Sequence, residues 1–513
     1  MSPIARCRSS LVHFPLFPAL LVLLAMFLRF LRLGAIPLLP DEAYYWLWSQ
    51  RLAPAYFDNA AGVAWLIRAS TLIGGASEWG VRWLNAALGA AAVGLSYLIG
   101  ARLFGRRAGL LAALFIALGA PYLVTSRFVY TDAVQLFLLL LNLYLLLPLF
   151  GQPALTGGRA AFYSRLILMP KLRFLTVGLS MAALLNTKYN AYLYAGAILV
   201  VLLLWRRDLL LDLRTWAVFG LTLLGALPVL GWNAAHDWAS FRWQWAHFVA
   251  GETVTLGSLL GNLRHTWVYI TPPLILLALP GLVMWRADKT HPLVAHRLLL
   301  IAGVVLVVPI LLSPANSPRN LVNGLALLLI LGAGWIDLIL QGRPAFVSWG
   351  ASLALVIVVG LYGAGTIAGT WAPTAWPRSS VADIIRADSL GWRNTEAIGL
   401  NVDMPVFALD YGIAAQLSYY LGRSVYTSWG QYRLWGIPAF DEVQIVSLTF
   451  VDPDFITVRL TQAFAWVDGP RAVDLQGRAE TKAVWMWRAG GRRIDMETFL
   501  DRFDFLALVQ AAP

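Results

Sequence analysis

Residues 132–150 read DAVQLFLLLLNLYLLLPLF, with one formal charge, at the first position. A helix needs about 20 mainly apolar residues to cross roughly 30 Å of hydrocarbon. The chain is 59% hydrophobic and 13% charged, and its mean hydropathy of +0.67 lies above that of soluble domains. Similar apolar runs predict about eleven membrane-spanning helices, near 11–33, 80–101, 108–124, 132–150, 172–186, 189–205, 215–232, 265–285, 298–313, 320–340 and 347–371. The predicted fold is an all-α polytopic membrane bundle, which excludes a secreted enzyme, a cytosolic module and a single-anchor protein.

Basic residues are distributed as expected for a membrane protein. Up to residue 373 there are 26 Lys and Arg against 11 Asp and Glu, whereas the rest of the chain has 13 against 16. The basic residues cluster in alternate connections, for example Arg106 with Arg107 and Arg206 with Arg207. The positive-inside rule places these connections in the cytoplasm. The net charge of +12 therefore reports membrane topology and predicts no nucleic-acid partner.

The chain divides into two predicted domains. Residues 1–371 form the membrane domain, whose first outer loop covers 34–79. Residues 372–513 alternate short β-like and helix-like runs, which predicts a small α/β domain. With the N-terminus inside, an odd number of spans places this domain outside the cytoplasm. The single cysteine, Cys7, excludes an intramolecular disulfide, and the absence of a Gly-rich phosphate loop predicts no nucleotide cofactor.

Acidic residues stand at the expected outer membrane surface. Asp41 and Glu42 precede a Tyr- and Trp-rich segment, Asp58 follows in the same loop, and Asp132 begins the fourth predicted span. Acids at a helix start suit the helix dipole or cap the helix, and interfacial aromatics are common in membrane proteins. Carboxylates at one face also suit general-base chemistry or cation binding. Both interpretations remain open.

Lys188 and the histidines of the 233–264 loop are the remaining candidates. Lys188 lies between two apolar runs with almost no loop around it, so it either snorkels or binds an anion. His236 and His247 form no pair at metal-ligand spacing, and a hydrogen-bonded structural role competes with metal binding. Carboxylates, basic residues and aromatics on one face together favour an enzyme acting on a phospholipid-like donor.

Several of these motifs resemble a known family. The stretch from Asp41 to Trp48, Tyr56-Phe57-Asp58, Thr131-Asp132-Ala133 and Thr187-Lys188-Tyr189 are similar to bacterial GT-C glycosyltransferases. The nearest group is the dolichyl-phosphate-mannose protein mannosyltransferase-like family, which includes the aminoarabinose transferase of lipid A. The resemblance implies a GT-C fold and an inverting hexosyl or pentosyl transfer. The donor would be a polyprenyl-phosphate-linked sugar and the acceptor a lipid, such as lipid A, or a protein. The reaction would take place at the periplasmic face of the bacterial cytoplasmic (inner) membrane.

The resemblance also assigns roles to residues. Asp41, with its neighbour Glu42, and Asp132 match the catalytic acids. The resemblance further assigns donor-phosphate binding to Lys188, Arg264 and Arg319, and a divalent cation to Asp58 and His247. Relatives have Glu-Lys-Pro or Asp-His-Pro-Pro where this chain has Asp58-Asn59-Ala60-Ala61, which removes one possible phosphate or metal contact.

Two other functions remain as alternatives. A transporter or flippase of lipid-linked saccharides also needs basic residues inside the membrane, but it predicts charges through both halves of the bilayer. An O-antigen ligase-like enzyme would use a lipid diphosphate donor. The candidate charges lie on one face, which favours the monophosphate-dependent transferase.

Overall fold

The computed structural model describes residues 16–150, 170–249, 255–283, 293–313, 317–371, 392–448, 452–476 and 481–504. These residues belong to two compact units. The first comprises Met1–Leu33, Asn59–Leu66 and Arg82–Ile367, and the second comprises Gly34–Asp58, Ile67–Val81 and Ala368–Pro513. The division into domains at residue 371 stays a prediction.

Helices account for most of the described chain. The α-helices are α1 (Leu16–Phe30), α2 (Pro40–Gln50), α3 (Gly62–Gly74), α4 (Glu78–Phe104), α5 (Arg106–Leu118), α6 (Ala120–Arg127), α7 (Thr131–Leu146), α8 (Pro170–Leu185), α9 (Ala191–Trp205), α10 (Arg207–Leu210), α11 (Leu213–Ala235), α12 (Ala239–Val249), α13 (Leu256–Ile270), α14 (Pro272–Ala278), α15 (Leu293–Leu312), α16 (Val322–Leu340), α17 (Ala345–Trp371), α18 (Tyr411–Leu421), α19 (Gly430–Trp435), α20 (Pro453–Ala463) and α21 (Met496–Arg502). Short 3₁₀ helices cover Leu147–Phe150, Leu279–Val283, Pro318–Leu321 and Trp392–Ile398.

The protein is a multi-pass membrane protein. Within the described residues, six helices are long and apolar enough to cross a bilayer, or up to eight if each of two bent helix pairs is one span. Three of the four shorter apolar helices, Pro18–Phe30, Leu172–Leu185 and Ala191–Trp205, coincide with further predicted spans. The fourth, Gly62–Gly74, lies within the predicted first outer loop. The mainly helical membrane fold is therefore confirmed, whereas the count of eleven spans stays a prediction.

Small residues allow close packing in the membrane unit. A Cβ atom added to Gly332 on α16 would lie 1.9 Å from the carbonyl oxygen of Leu277 on α14. The two backbones therefore meet without an intervening side chain, as is common between membrane helices. Both helices contribute to one apolar core that includes Leu274, Leu329 and Ile330, each at most 1% exposed.

Buried arginines stabilise a break between α5 and α6. The two helices meet at Gly119 with a bend of 58°. Carbonyl groups before a break lose their helical partners, and in hydrocarbon each unsatisfied group costs several kcal/mol. Arg29 on α1, only 1% exposed, donates to the carbonyl oxygens of Ile116 at 3.2 Å and Ala117 at 3.4 Å. Arg127 at the end of α6 donates back to the carbonyl oxygen of Leu28 at 2.8 Å.

The second unit contains a four-stranded sheet. Its strands are β1 (Val406–Ala408), β2 (Glu442–Leu448), β3 (Phe464–Gln476) and β4 (Thr481–Arg492), in the order β1-β2-β4-β3. β1 and β2 are parallel, and the other pairs are antiparallel. The parallel connection between β1 and β2 runs through α18 and α19, and apolar residues such as Phe407, Ile445, Phe464, Trp487 and Phe499 fill the core. The predicted C-terminal α/β region is confirmed.

Candidate active site

Asp41 lies in the first turn of α2, which starts at Pro40. The side chain is half-buried, and the hydroxyl group of Tyr411 donates a hydrogen bond of 2.8 Å to its Oδ1 atom. The negative charge of Asp41 is the main cause that raises the pKa of Tyr411 well above its usual range. Tyr411 therefore stays protonated and keeps the carboxylate of Asp41 in a fixed orientation.

Glu42, the next residue, is fully buried. Its Oε2 atom accepts a hydrogen bond of 2.9 Å from the backbone N–H of Leu39. This bond satisfies one N–H group at the start of α2, where helices leave such groups without partners. The contact gives Glu42 a structural role in holding the turn that presents Asp41.

Asp58 is the second carboxylate of this unit. Tyr44 on α2 donates to its Oδ2 atom, and the indole N–H of Trp429 donates to Oδ1 at 3.0 Å. Desolvation, which outweighs these hydrogen bonds, together with the nearby charge of Asp41, raises the pKa of Asp58 to about 7. Asp41 and Asp58, hereafter the carboxylate pair, thus consist of one oriented carboxylate and one acid that titrates near neutral pH.

Aromatic rings pack around the carboxylate pair. Tyr44 stacks on Tyr432 with a centroid distance of 6.0 Å, and Tyr411 stacks on Trp429 at 4.8 Å. Tyr411 and Trp429 were not among the sequence-based candidates, although they hydrogen-bond to residues about 370 positions earlier. A single sequence contains no signal that links such distant positions.

In the first unit, a group of charges around the buried Asp132 lies where helices of the bundle begin. Lys188 Nζ lies 2.8 Å from Asp132 Oδ1 and 2.5 Å from Asn320 Oδ1. The Arg319 Nε atom lies 4.0 Å from Asp132 Oδ2, and its guanidinium group sits 4.3 Å from the ring centroid of Tyr130. We call Asp132, Lys188, Arg319 and Asn320 the lysine cluster. Its two cations and one anion have a formal charge of +1.

Amides extend the lysine cluster into the bundle. Gln135, one turn after Asp132 on α7, donates to Asn190 Oδ1 at 2.5 Å and accepts from Asn323 on α16. Such buried polar groups are expensive in an apolar bundle and usually mark functional sites.

The structure leaves Arg264 apart from the lysine cluster. Arg264 is exposed on α13, and within the described residues no hydrogen bond or ion pair joins it to Lys188, Arg319 or Asp132. Its assignment to the donor phosphate stays a prediction.

The predicted cation site has limited support in the geometry. Both carboxylate oxygens of Asp58 already accept hydrogen bonds. Among the described residues, no group of three or more His, Cys, Asp or Glu side chains could hold a metal ion. His247 belongs to α12, but its side chain lies outside the described residues. The cation therefore stays a prediction.

Comparisons with known proteins agree with this architecture. Residues 58–156 match the model of the dolichyl-phosphate-mannose-protein mannosyltransferase family. The lipid A galacturonosyltransferase RgtD of Rhizobium johnstonii is 31% identical over 210 residues, which are 39% of this chain and 40% of that protein. The match therefore spans well under two thirds of that relative.

Two solved structures share the fold over nearly the whole chain. ArnT from Cupriavidus metallidurans in the apo state superposes with a TM-score of 0.61 at 16% identity, covering 91% of this chain and 97% of ArnT. The same enzyme bound to undecaprenyl phosphate gives a TM-score of 0.59 at 17% identity, with the same coverage.

The chain therefore shares the fold of ArnT. The resemblance predicted from the sequence is confirmed as a similarity: residues 58–156 match the dolichyl-phosphate-mannose-protein mannosyltransferase family, and part of the chain is similar to a lipid A galacturonosyltransferase.

Proposed function

We propose that this protein transfers a sugar from a polyprenyl-phosphate donor to a lipid A-like acceptor. The transfer takes place at the periplasmic face of the bacterial inner membrane, in a bundle of eleven spans, with residues 372–513 as the outer domain. The observation that carries the proposal is the lysine cluster. Lys188 and Arg319 both approach the carboxylate of Asp132 at the ends of apolar helices, and cations in such a place suit the phosphate of a polyprenyl donor. The 31% identity to a lipid A galacturonosyltransferase supports a lipid acceptor over a protein.

The reaction follows from the chemistry of these groups. An acceptor hydroxyl attacks the anomeric carbon, Asp41 takes the hydroxyl proton, and the bond from the anomeric carbon to the phosphate oxygen breaks. The configuration at that carbon inverts. Polyprenyl phosphate leaves with the electron pair, and Lys188 and Arg319 stabilise its negative charge. General-base help contributes roughly 10²–10⁴ in rate.

The hydrogen bond from Tyr411 supports Asp41 as the base. This donor, at 2.8 Å from Oδ1, fixes the orientation of the carboxylate. Were the acceptor a phosphate of lipid A, which is already an anion, Asp41 would orient it and no base would be needed.

The decisive test uses Asp41→Asn in membranes supplied with labelled polyprenyl-phosphate sugar. We expect transfer to fall by at least a hundredfold at unchanged expression, since the amide cannot accept the proton. Asp403→Asn is the matched control, because Asp403 is an exposed acid of the second unit. Equal activity of wild type and Asp41→Asn would remove Asp41 from the mechanism.

A second test addresses the donor. The Arg319→Gln variant keeps Lys188 beside Asp132 but loses one cation, so we expect the KM for the donor to rise about tenfold with a smaller change in kcat. Offering mono- and diphosphate donors separately distinguishes this proposal from a ligase, which requires the diphosphate. Movement of intact donor across the bilayer without product would favour a flippase.

A further inference from the structure

The second unit contains a cavity that the proposed reaction does not use. Its volume is about 280 Å³, and it opens between the end of α2, the segment after α18, and α19. Natural small-molecule pockets start at roughly this size. The volume suits one sugar ring with a charged substituent.

Aromatic side chains form much of the cavity wall. Trp46 from α2, Tyr426, and Tyr432 with Trp435 from α19 all line it. Flat rings alternating with hydroxyl and amide groups are the surface that a sugar ring contacts with its apolar face. Gln50, Ser418 and Ser424 supply those polar groups.

Two arginines give the cavity a positive charge. Arg51 and Arg423 line it, and no Asp or Glu is among the lining residues. The guanidinium group of Arg51 lies 4.9 Å from the ring centroid of Trp435, which restricts its orientation. In the part of the chain that the structure describes, neither arginine forms an ion pair.

The two arginines differ in how many N–H groups remain available. Arg423 donates through Nη2 to the carbonyl oxygen of Asn401 at 3.0 Å and through Nη1 to that of Val402, which anchors it to the neighbouring loop. The side chain of Arg51 has no hydrogen-bond acceptor among the described residues. An arginine presents five N–H donors in a fork that matches a carboxylate or phosphate. The orientation of Arg51 is therefore restricted, and its side-chain N–H groups are available to a ligand.

We propose that this cavity is a binding site for an anionic sugar, that is, a sugar with a carboxylate or phosphate group. The aromatic wall contacts the ring, and Arg51 binds the anionic group with Arg423 beside it. The site does not depend on the transfer reaction. Its ligand is either a soluble saccharide or the headgroup of a glycolipid, since both present the same chemistry.

The test measures binding to the purified full-length protein in nanodiscs, by calorimetry. The probes are glucose 1-phosphate and glucuronate, with glucose and inorganic phosphate as the neutral and sugar-free comparisons. We expect saturable binding of both anionic sugars that weakens at least tenfold in Arg51→Gln. The Arg433→Gln variant is the matched control, because Arg433 lies on α19 but pairs with Asp501 outside the cavity.

Each outcome decides the proposal. Unchanged affinity in Arg51→Gln, equal binding of glucose and glucose 1-phosphate, or equal binding of inorganic phosphate would overturn it. Arg319→Gln should leave this binding unchanged, so a failure here is separate from a failure of the donor site. Competition by nanodiscs containing lipid A, but not by phosphatidylglycerol, would assign the glycolipid as the source. Its absence would assign the soluble sugar.

Discussion

The ion pair between Lys188 and Asp132 makes a sharp prediction about stability. Lys188→Ala leaves a carboxylate that is 1% exposed without its partner at 2.8 Å. Removing one member of a buried pair typically costs about 3–5 kcal/mol, because the other charge stays desolvated. Arg319 remains 4.0 Å from the second carboxylate oxygen and compensates in part. We therefore expect a loss at the lower end of that range, about 3 kcal/mol.

A double-mutant cycle isolates the interaction energy between Lys188 and Asp132. The free energy of unfolding is measured by SDS titration in mixed micelles for wild type, Lys188→Ala, Asp132→Ala and the double variant. The double variant should be more stable than the sum of the single losses predicts, by about 2 kcal/mol, since neither charge is left alone. The more exposed pair of Arg214 and Asp212, at 2.7 Å, provides the control, and Arg214→Ala should cost much less than Lys188→Ala.

The result that contradicts the reasoning is strict additivity, or a loss in Lys188→Ala as small as that in Arg214→Ala. Either would mean that water reaches the pair. A raised KM for the donor in Lys188→Ala indicates a weaker donor site only when the folded fraction of the variant equals that of the wild type.

Three further predictions follow from single contacts. The pKa of Asp58 is about 7 against an ordinary 3.8, so between these pH values the folded state holds a proton that the unfolded state has lost. The free energy of unfolding should therefore fall by up to about 4 kcal/mol as the pH rises from about 4 to 7. Melting curves of Asp58→Asn at different pH values should not show this fall. Gly332→Ala should cost about 1–3 kcal/mol by overpacking against a neighbouring carbonyl, whereas Gly350→Ala, with open space around it, should be neutral or slightly stabilising; equal melting of the two variants would contradict the close packing. Tyr411→Phe should lower kcat roughly tenfold by releasing Asp41, with donor KM unchanged, and an unaltered kcat would show that Asp41 needs no such support.

Hydropathy predicts most spans because charge is excluded from hydrocarbon, but it does not predict bends. The break between α13 and α14 turns the chain by 102°, and it occurs at Thr271, whose φ of 77° lies in the left-handed region. The two prolines that follow lack N–H groups, so they fit the start of α14. An apolar run does not reveal whether such a break divides it.

The sequence also predicts only part of the candidate site. Asp41 and Lys188 could be found because charges stand out beside apolar runs. Asn320, which accepts a hydrogen bond from Lys188, and Trp429, which binds Asp58, have no distinguishing context in the sequence. Their partners lie more than 130 and 370 residues away, and only the folded chain brings them together.

Arg29, which donates to carbonyl groups at the break between α5 and α6, constrains the order in which the helices pack. Two of the acceptors of Arg29, the carbonyl oxygens of Ile116 and Ala117, follow it by 87 and 88 residues in the chain. Until these two acceptors are present, the guanidinium group has the carbonyl oxygen of Ala25 in its own helix, at 3.3 Å, and the charge favours a position of this end of α1 at the membrane interface. Helix α1 therefore completes its docking only after α5 has been synthesised.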